Sequence, residues 1–229
     1  MRTSTPKILP NGTVQPRIGS LYALYTEGRY HRQMRVIAGT YRSRLLASPP
    51  GTATRPTSDR LRETLFNILA TRVPGCRFVD LYAGTGAVGI EAISRGAEFV
   101  WFSENAVPAL KTLRKNLETL KITSGFALED RGTAALLQRL GKSPIDVVYL
   151  DPPYEAENEY TGTLSFLGST TGRKLLAPGA IVVAEHASKS KFKLAERFGG
   201  LVRTREYKQG DASLSFYEAP ADEVKTTTD

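Results

Sequence analysis

Residues 78–91 read Phe-Val-Asp-Leu-Tyr-Ala-Gly-Thr-Gly-Ala-Val-Gly-Ile-Glu, and no other stretch constrains the fold as tightly. A short apolar run, then three glycines, then a helix-compatible segment is a buried strand turning sharply into a helix. Gly84, Gly86 and Gly89 satisfy G-x-G-x-x-G, and Glu104 lies twenty residues beyond Gly84. Such glycines remove Cβ atoms so that backbone approaches a ligand, and an acid ending the next strand accepts hydrogen bonds from ribose hydroxyls. A nicotinamide dinucleotide and other adenosine-bearing ligands both meet these conditions, and a plain tight turn meets the first. Asp80, four residues before Gly84, tilts the reading. A carboxylate at the strand end opposes a pyrophosphate but helps to place a cationic amino-acid ligand, such as the methionine portion of S-adenosylmethionine (SAM).

Strand and helix patterns then alternate. Strands are expected at 77–82, 98–103, 125–128, 146–150 and 180–185, and helices at 86–95, 107–120, 133–140 and 157–170. An earlier helix starting at Pro56 carries Leu61, Leu65, Phe66 and Leu69 at helical spacing. Leu201–Tyr207 and Ser213–Glu218, on either side of Gln209-Gly210-Asp211, read as a closing antiparallel hairpin. The pattern predicts an α/β fold, a mostly parallel, doubly wound, Rossmann-like sheet with that hairpin at its end. Ahead of it, Met34–Leu45 reads as a small hairpin turning near Gly39-Thr40. The expected divisions are a basic, flexible extension at 1–33, a hairpin appendage at 34–54, the main domain at 55–220 and a loose tail at 221–229.

Composition excludes several classes. With one cysteine, Cys76, the chain has no intramolecular disulfide and no C-x-x-C zinc site. Two distant histidines, His31 and His186, do not make a metal site, and no metal is expected. No apolar run approaches the roughly 18 residues of a membrane helix. The expectation is a reduced, soluble, cytoplasmic protein. The net charge of +8 is unevenly spread. Residues 1–62 hold eleven Lys/Arg against Glu27 and Asp59, while the remaining 167 residues hold 20 bases and 21 acids. An arginine-rich front on a near-neutral body suggests a polyanion partner. A transit peptide shares that composition, but this stretch runs straight into patterned sequence.

The second constellation is Asp151-Pro152-Pro153-Tyr154, directly after the apolar run Asp146–Leu150. In a doubly wound sheet, the carboxyl ends of the first and fourth strands flank one crevice, so this tetrad faces the glycine loop's ligand. Its chemistry suits the exocyclic amino group of a nucleobase, whose lone pair is delocalised into the ring. The Asp151 carboxylate and the Pro152 carbonyl can accept hydrogen bonds from that NH₂ and favour a more tetrahedral nitrogen as a bond forms. Pro152 and Pro153 restrict the backbone, which pre-aims the acceptors. Tyr154 offers a flat face for a base that has been unstacked.

These residues look like a SAM-dependent amino-methyltransferase, and the front of the chain sharpens the likeness. Arg55-Pro56-Thr57-Ser58-Asp59-Arg60-Leu61-Arg62-Glu63-Thr64-Leu65-Phe66-Asn67-Ile68-Leu69 resembles the signature of the RsmD family, bacterial methyltransferases acting on a guanine N2 of 16S ribosomal RNA. The similarity runs from about Met34 to Tyr217. It implies SAM as cofactor, 16S rRNA in a small subunit or assembly intermediate as partner, and guanine 966 as target; a monomer is expected. By that resemblance Asp80, Gly84 and Gly86 line the methionine side of SAM, Glu104 takes its ribose hydroxyls, and Tyr82 and Asn105 also bind the cofactor. Asp130 and the Arg131 backbone lie by the adenine, and Arg55 and Thr57 close over the cofactor. Asp151, Pro152, Pro153 and Tyr154 receive the guanine, and Arg35, Arg42, Arg44 and Arg60 contact RNA. Two departures are visible. The family's hairpin usually reads Arg-Gly-Arg where this chain has Arg42-Ser43-Arg44, so a positive φ there strains Ser43. The 33-residue extension is also atypical, which makes Met34 a candidate natural start.

Other readings stay open at this level. An NAD(P)-dependent oxidoreductase shares the glycine pattern, although no Tyr-x-x-x-Lys or histidine arrangement accompanies it. A non-catalytic RNA-binding assembly factor has no need of pre-aimed acceptors. DNA or RNA enzymes acting on adenine N6 or cytosine N4 share the tetrad, but usually carry extra target-recognition sequence.

Overall fold

The computed structural model describes residues 34–48, 59–141 and 144–220. The extension at 1–33, Arg55 and Thr57, and the tail at 221–229 lie outside the described residues.

Helix α1 (Asp59–Ile68) precedes a sheet of strands β1 (Arg77–Asp80), β2 (Phe99–Ser103), β3 (Phe126–Glu129), β4 (Ile145–Leu150), β5 (Leu176–Ala187), β6 (Arg197–Phe198), β7 (Leu201–Gln209) and β8 (Ala212–Glu218). The spatial order is β3-β2-β1-β4-β5-β8-β7-β6. The first five strands are parallel, and the last three add on antiparallel. Between the parallel strands run α2 (Ala87–Ser94), α3 (Val107–Thr119), α4 (Thr133–Arg139), α5 (Glu157–Gly168) and the short α6 (Thr170–Arg173). From β1 the chain steps outward to β2 and β3, then crosses back to β4 on the other side of β1. That reversal opens a crevice at the carboxyl ends of β1 and β4.

The central strands read as continuous apolar runs because both sheet faces are covered. On one face Phe78, Val147, Tyr149 and Val183 pack with Leu65, Phe66, Ile90 and Leu113. On the other Val79, Val148 and Val182 pack with Leu137, Tyr160 and Leu164. Each large apolar side chain buried this way contributes roughly 1.5–3 kcal/mol. No helix among the described residues is long and apolar enough to cross a membrane.

The elements match the expected alternation, with three differences. Strand β5 starts at Leu176, which pairs with Ile145 across a register shift, although Pro178-Gly179 punctuates the sequence like a turn. The helix expected to 170 breaks at Ser169, whose hydroxyl accepts from the Gly172 amide at 3.1 Å and caps α6. The two-residue β6 is too short to show any period.

The front hairpin is narrow, a single antiparallel bridge between Arg35 and Leu45. Met34, Val36 and Leu46 belong to the same core cluster as α1 and α2. Its turn is fastened to the end of α2: the Thr40 amide donates to the Ser94 carbonyl, and the Tyr41 amide to the Ser94 hydroxyl. Gly39 fits only without a side chain, since a Cβ there falls 1.8 Å from the Ser94 carbonyl oxygen. Ser43 has φ +67°, the strained geometry expected where the family carries glycine.

Candidate active site

The crevice is built from the ends of β1 and β2 upward. Asp80 closes β1 and is 1% exposed. Its Oδ2 accepts from the Gly89 amide in the first turn of α2 at 3.0 Å, while its Oδ1 has no hydrogen-bond partner. Burial pushes the Asp80 carboxyl up to about 7, with the Gly89 N–H opposing and the nearby Glu104 adding to the rise. Gly89 must lack a side chain because a Cβ there meets the Phe102 ring at 2.2 Å. Glu104 follows β2 and organises the loop: its Oε2 accepts from the Gly84 amide and its Oε1 from the Ala106 amide, each at 2.7 Å. A partnerless buried carboxylate oxygen and a second carboxylate beside a glycine loop fit a ligand bearing an ammonium group and vicinal hydroxyls.

The neighbouring loop at the end of β3 holds Asp130 and Arg131. Exposed Asp130 stands 3.7 Å from Arg114. The Arg131 side chain is committed to Glu129 at 2.8 Å, and its amide donates to the same carboxylate at 3.2 Å. Hydrogen bonds from Arg131 and Arg139 hold the Glu129 carboxyl down at about 2. Asn105 is exposed and flanks Gly132 across this loop. The Tyr82 hydroxyl donates to Glu159 of α5 at 2.7 Å, beside a cavity of about 350 Å³ between α4 and α5.

The tetrad leaves β4 at the same rim. Asp80 pairs in register with Tyr149, so Asp151 lies just beyond the end of β1. Beneath it sits Glu185 of β5, 3% exposed, which sequence reasoning passed over. The Tyr149 hydroxyl donates to Glu185 Oε2 at 2.5 Å, and the Tyr154 hydroxyl to Oε1 at 3.4 Å. Tyr160 of α5 points its hydroxyl at the Pro152 and Glu185 carbonyls, at 3.0 and 2.9 Å. The available signal was an acid inside the otherwise apolar run Ile181–Ala184 and its continuation. What that acid touches is not local in sequence.

A family model described as Conserved hypothetical protein 95 matches residues 34–218. The chain belongs to that family. Within the Conserved hypothetical protein 95 family, the chain is 34% identical over 187 residues to the Bacillus subtilis "Putative rRNA methyltransferase YlbH", covering 81% of this chain and 98% of that protein. It is 38% identical over 122 residues to the Escherichia coli "Ribosomal RNA small subunit methyltransferase D", covering 53% of this chain and 61% of that protein. A solved structure, "Putative methyltransferase yhhF from Escherichia coli", superposes with a TM-score of 0.69 at 30% identity, covering 82% of this chain and 98% of that one. The resemblance to the RsmD family is borne out, and so is the mostly parallel α/β class with its antiparallel end.

In this Conserved hypothetical protein 95 chain the basic front divides in two. Arg35, Arg42, Arg44 and Arg60 are exposed, but the hairpin turn lies against the end of α2 opposite the glycine loop. Arg62 is instead fully buried, donating to the Arg35 carbonyl at 2.5 Å and to Asp59 at 3.0 Å, with Glu91 at 3.8 Å. Burial lowers the Arg62 pKa while Glu91 and Asp59 oppose that. Glu91 also takes the Ile37 and Ala38 amides, at 2.7 and 3.0 Å. Asn116 of α3 joins the hairpin's exit to the glycine loop, donating to the Ala47 and Thr85 carbonyls at 3.2 and 2.9 Å.

Proposed function

We propose that this protein moves a methyl group from SAM to the exocyclic N2 of a guanine in small-subunit ribosomal RNA, with guanine 966 the finer assignment carried by the RsmD resemblance. The observation that carries the reading is the position of Asp151-Pro152-Pro153-Tyr154 beyond β4, beside the β1 end that bears Asp80. The E. coli relative's name supports ribosomal RNA as the substrate class.

Asp80 suits the ammonium of the cofactor's amino-acid portion, which supplies the missing partner for Oδ1. Glu104, already shaping the loop, keeps lone pairs for ribose hydroxyls. When bound, SAM supplies a methyl carbon made electrophilic by its sulfonium. The protein's part is to hold the amino nitrogen in line with that carbon. Asp151 and the Pro152 carbonyl accept its two N–H bonds, and Tyr154 stacks on the base. The nitrogen gains positive charge during transfer and releases its proton afterwards, so no strong general base is needed.

The deciding assay is labelled methyl transfer to unmodified small subunits and to free 16S RNA, with the product nucleoside identified. N2-methylguanosine is expected. N6-methyladenosine or N4-methylcytidine moves the target, and tight NADH binding without SAM binding overturns the reading.

A further inference from the structure

We propose that Glu185 and Tyr160 are positioning residues for the tetrad: the Glu185 carboxylate sets the orientation of Tyr154, and the Tyr160 hydroxyl sets the Pro152 carbonyl. This rests on the reading of the tetrad as the amino-group cradle.

Two observations carry it. A carboxylate buried in a sheet interior is costly unless its oxygens are satisfied, and an apolar residue fills such space with less penalty. Glu185 has one oxygen on Tyr149, a fully buried strand residue, and the other on Tyr154, the stacking face of the tetrad. The acid therefore links the half-buried Tyr154 ring to a fully buried strand residue, which an apolar residue cannot do. The second observation is the double contact of Tyr160. One hydroxyl proton faces two carbonyl oxygens at nearly equal distance, Pro152 at 3.0 Å and Glu185 at 2.9 Å. The Tyr160 ring is itself fully buried and packs against Phe192 with centroids 6.1 Å apart.

Proline fixes φ at Pro152, so the direction of its carbonyl depends on ψ, and the Tyr160 contact restrains that remaining freedom. Burial, followed by the nearby Asp151 and Tyr154, raises the Tyr160 pKa far above its ordinary range, so this group stays a proton donor. A carbonyl oxygen has two lone pairs, so Pro152 accepts the substrate N–H on one while the Tyr160 hydroxyl restrains it through the other.

The test uses the full chain with Tyr160→Phe, Glu185→Gln and Glu185→Ala, and reads SAM affinity, kcat and RNA KM separately. Tyr160→Phe is expected to lower kcat about tenfold to hundredfold, in line with a misplacement of reacting groups, with SAM affinity and KM changed less than about threefold. Glu185→Gln, which keeps an acceptor oxygen, should retain more kcat than Glu185→Ala. Wild-type kcat in Tyr160→Phe, or losses confined to SAM affinity, overturns the proposal while the methyl-transfer reading stands. A second readout is independent of turnover: 3-fluorotyrosine at position 154, followed by fluorine NMR. Its resonance should move in Glu185→Gln, and an unmoved resonance rejects the Glu185–Tyr154 link even if wild type methylates no RNA.

Discussion

The Gly89 amide donates to Asp80 Oδ2 at 3.0 Å, so one oxygen of a buried carboxylate is anchored to α2 while the other has no partner. The glycine loop thus holds an unmet electrostatic demand at the end of β1, and ligand binding should respond to pH through it.

Burial pushes Asp80 up to about 7 from 3.8. The native state therefore holds this proton more tightly than the unfolded chain. The stabilisation is fully present below about 3.8 and is lost as pH rises through about 7. The ligand-free protein should lose stability across that window, and Asp80→Asn should flatten the loss. Denaturant midpoints for both proteins at several pH values check this; parallel curves would count against it. A bound ammonium favours the ionised form, so SAM affinity should rise with pH through the same window and binding should release protons to the buffer.

Asp151→Ala should reduce methyl transfer by at least about a hundredfold, because it removes one of the two acceptors proposed to orient the nucleophile. SAM affinity should stay within about threefold of wild type. Unchanged turnover would remove Asp151 from the site.

Glu91→Ala removes one of the two carboxylates facing buried Arg62, unpairs Arg95 and leaves the Ile37 and Ala38 amides without their acceptor. A destabilisation of roughly 3–5 kcal/mol is expected in denaturant unfolding, the usual cost of breaking a buried ion pair on one side. A loss under about 1 kcal/mol would show that Glu91 is not what holds the hairpin.

Replacing Ser43 by glycine relieves a left-handed residue at φ +67°. The gain should be about 1 kcal/mol, offset in part by the greater freedom of glycine in the unfolded chain, and should appear as a rise in Tm of a few degrees.

Arg42→Ala with Arg44→Ala should weaken RNA binding and flatten its salt dependence by roughly 1.5 in log–log slope, the value for two lost phosphate contacts. Since the turn sits at the far end of α2 from the glycine loop, kcat should hold and KM should rise. An unaltered slope places the RNA elsewhere.

Local pattern made much of this legible. Strand and helix periods announce themselves in windows of a few residues, so β1, α2 and α3 fall within one or two residues of expectation. The glycine loop and the tetrad were readable for the same reason, since each is a contiguous run whose chemistry is carried by adjacent residues. Two-residue β6 and the Pro178-Gly179 entry to β5 were not, because neither contains a period.

Sequence by itself determined the α/β class, the two motifs at the strand ends and the total charge. The tertiary structure decided which charges face water and what stands behind the tetrad. Arg62 reads in sequence as one more base in an arginine-rich front, yet packing buries it against Asp59 and Glu91. Glu185 lies 31 residues from Tyr154, and only the parallel pairing of β4 with β5 brings it underneath. A charge count and a motif are additive along the chain; burial and hydrogen bonding depend on which distant segments the sheet places side by side.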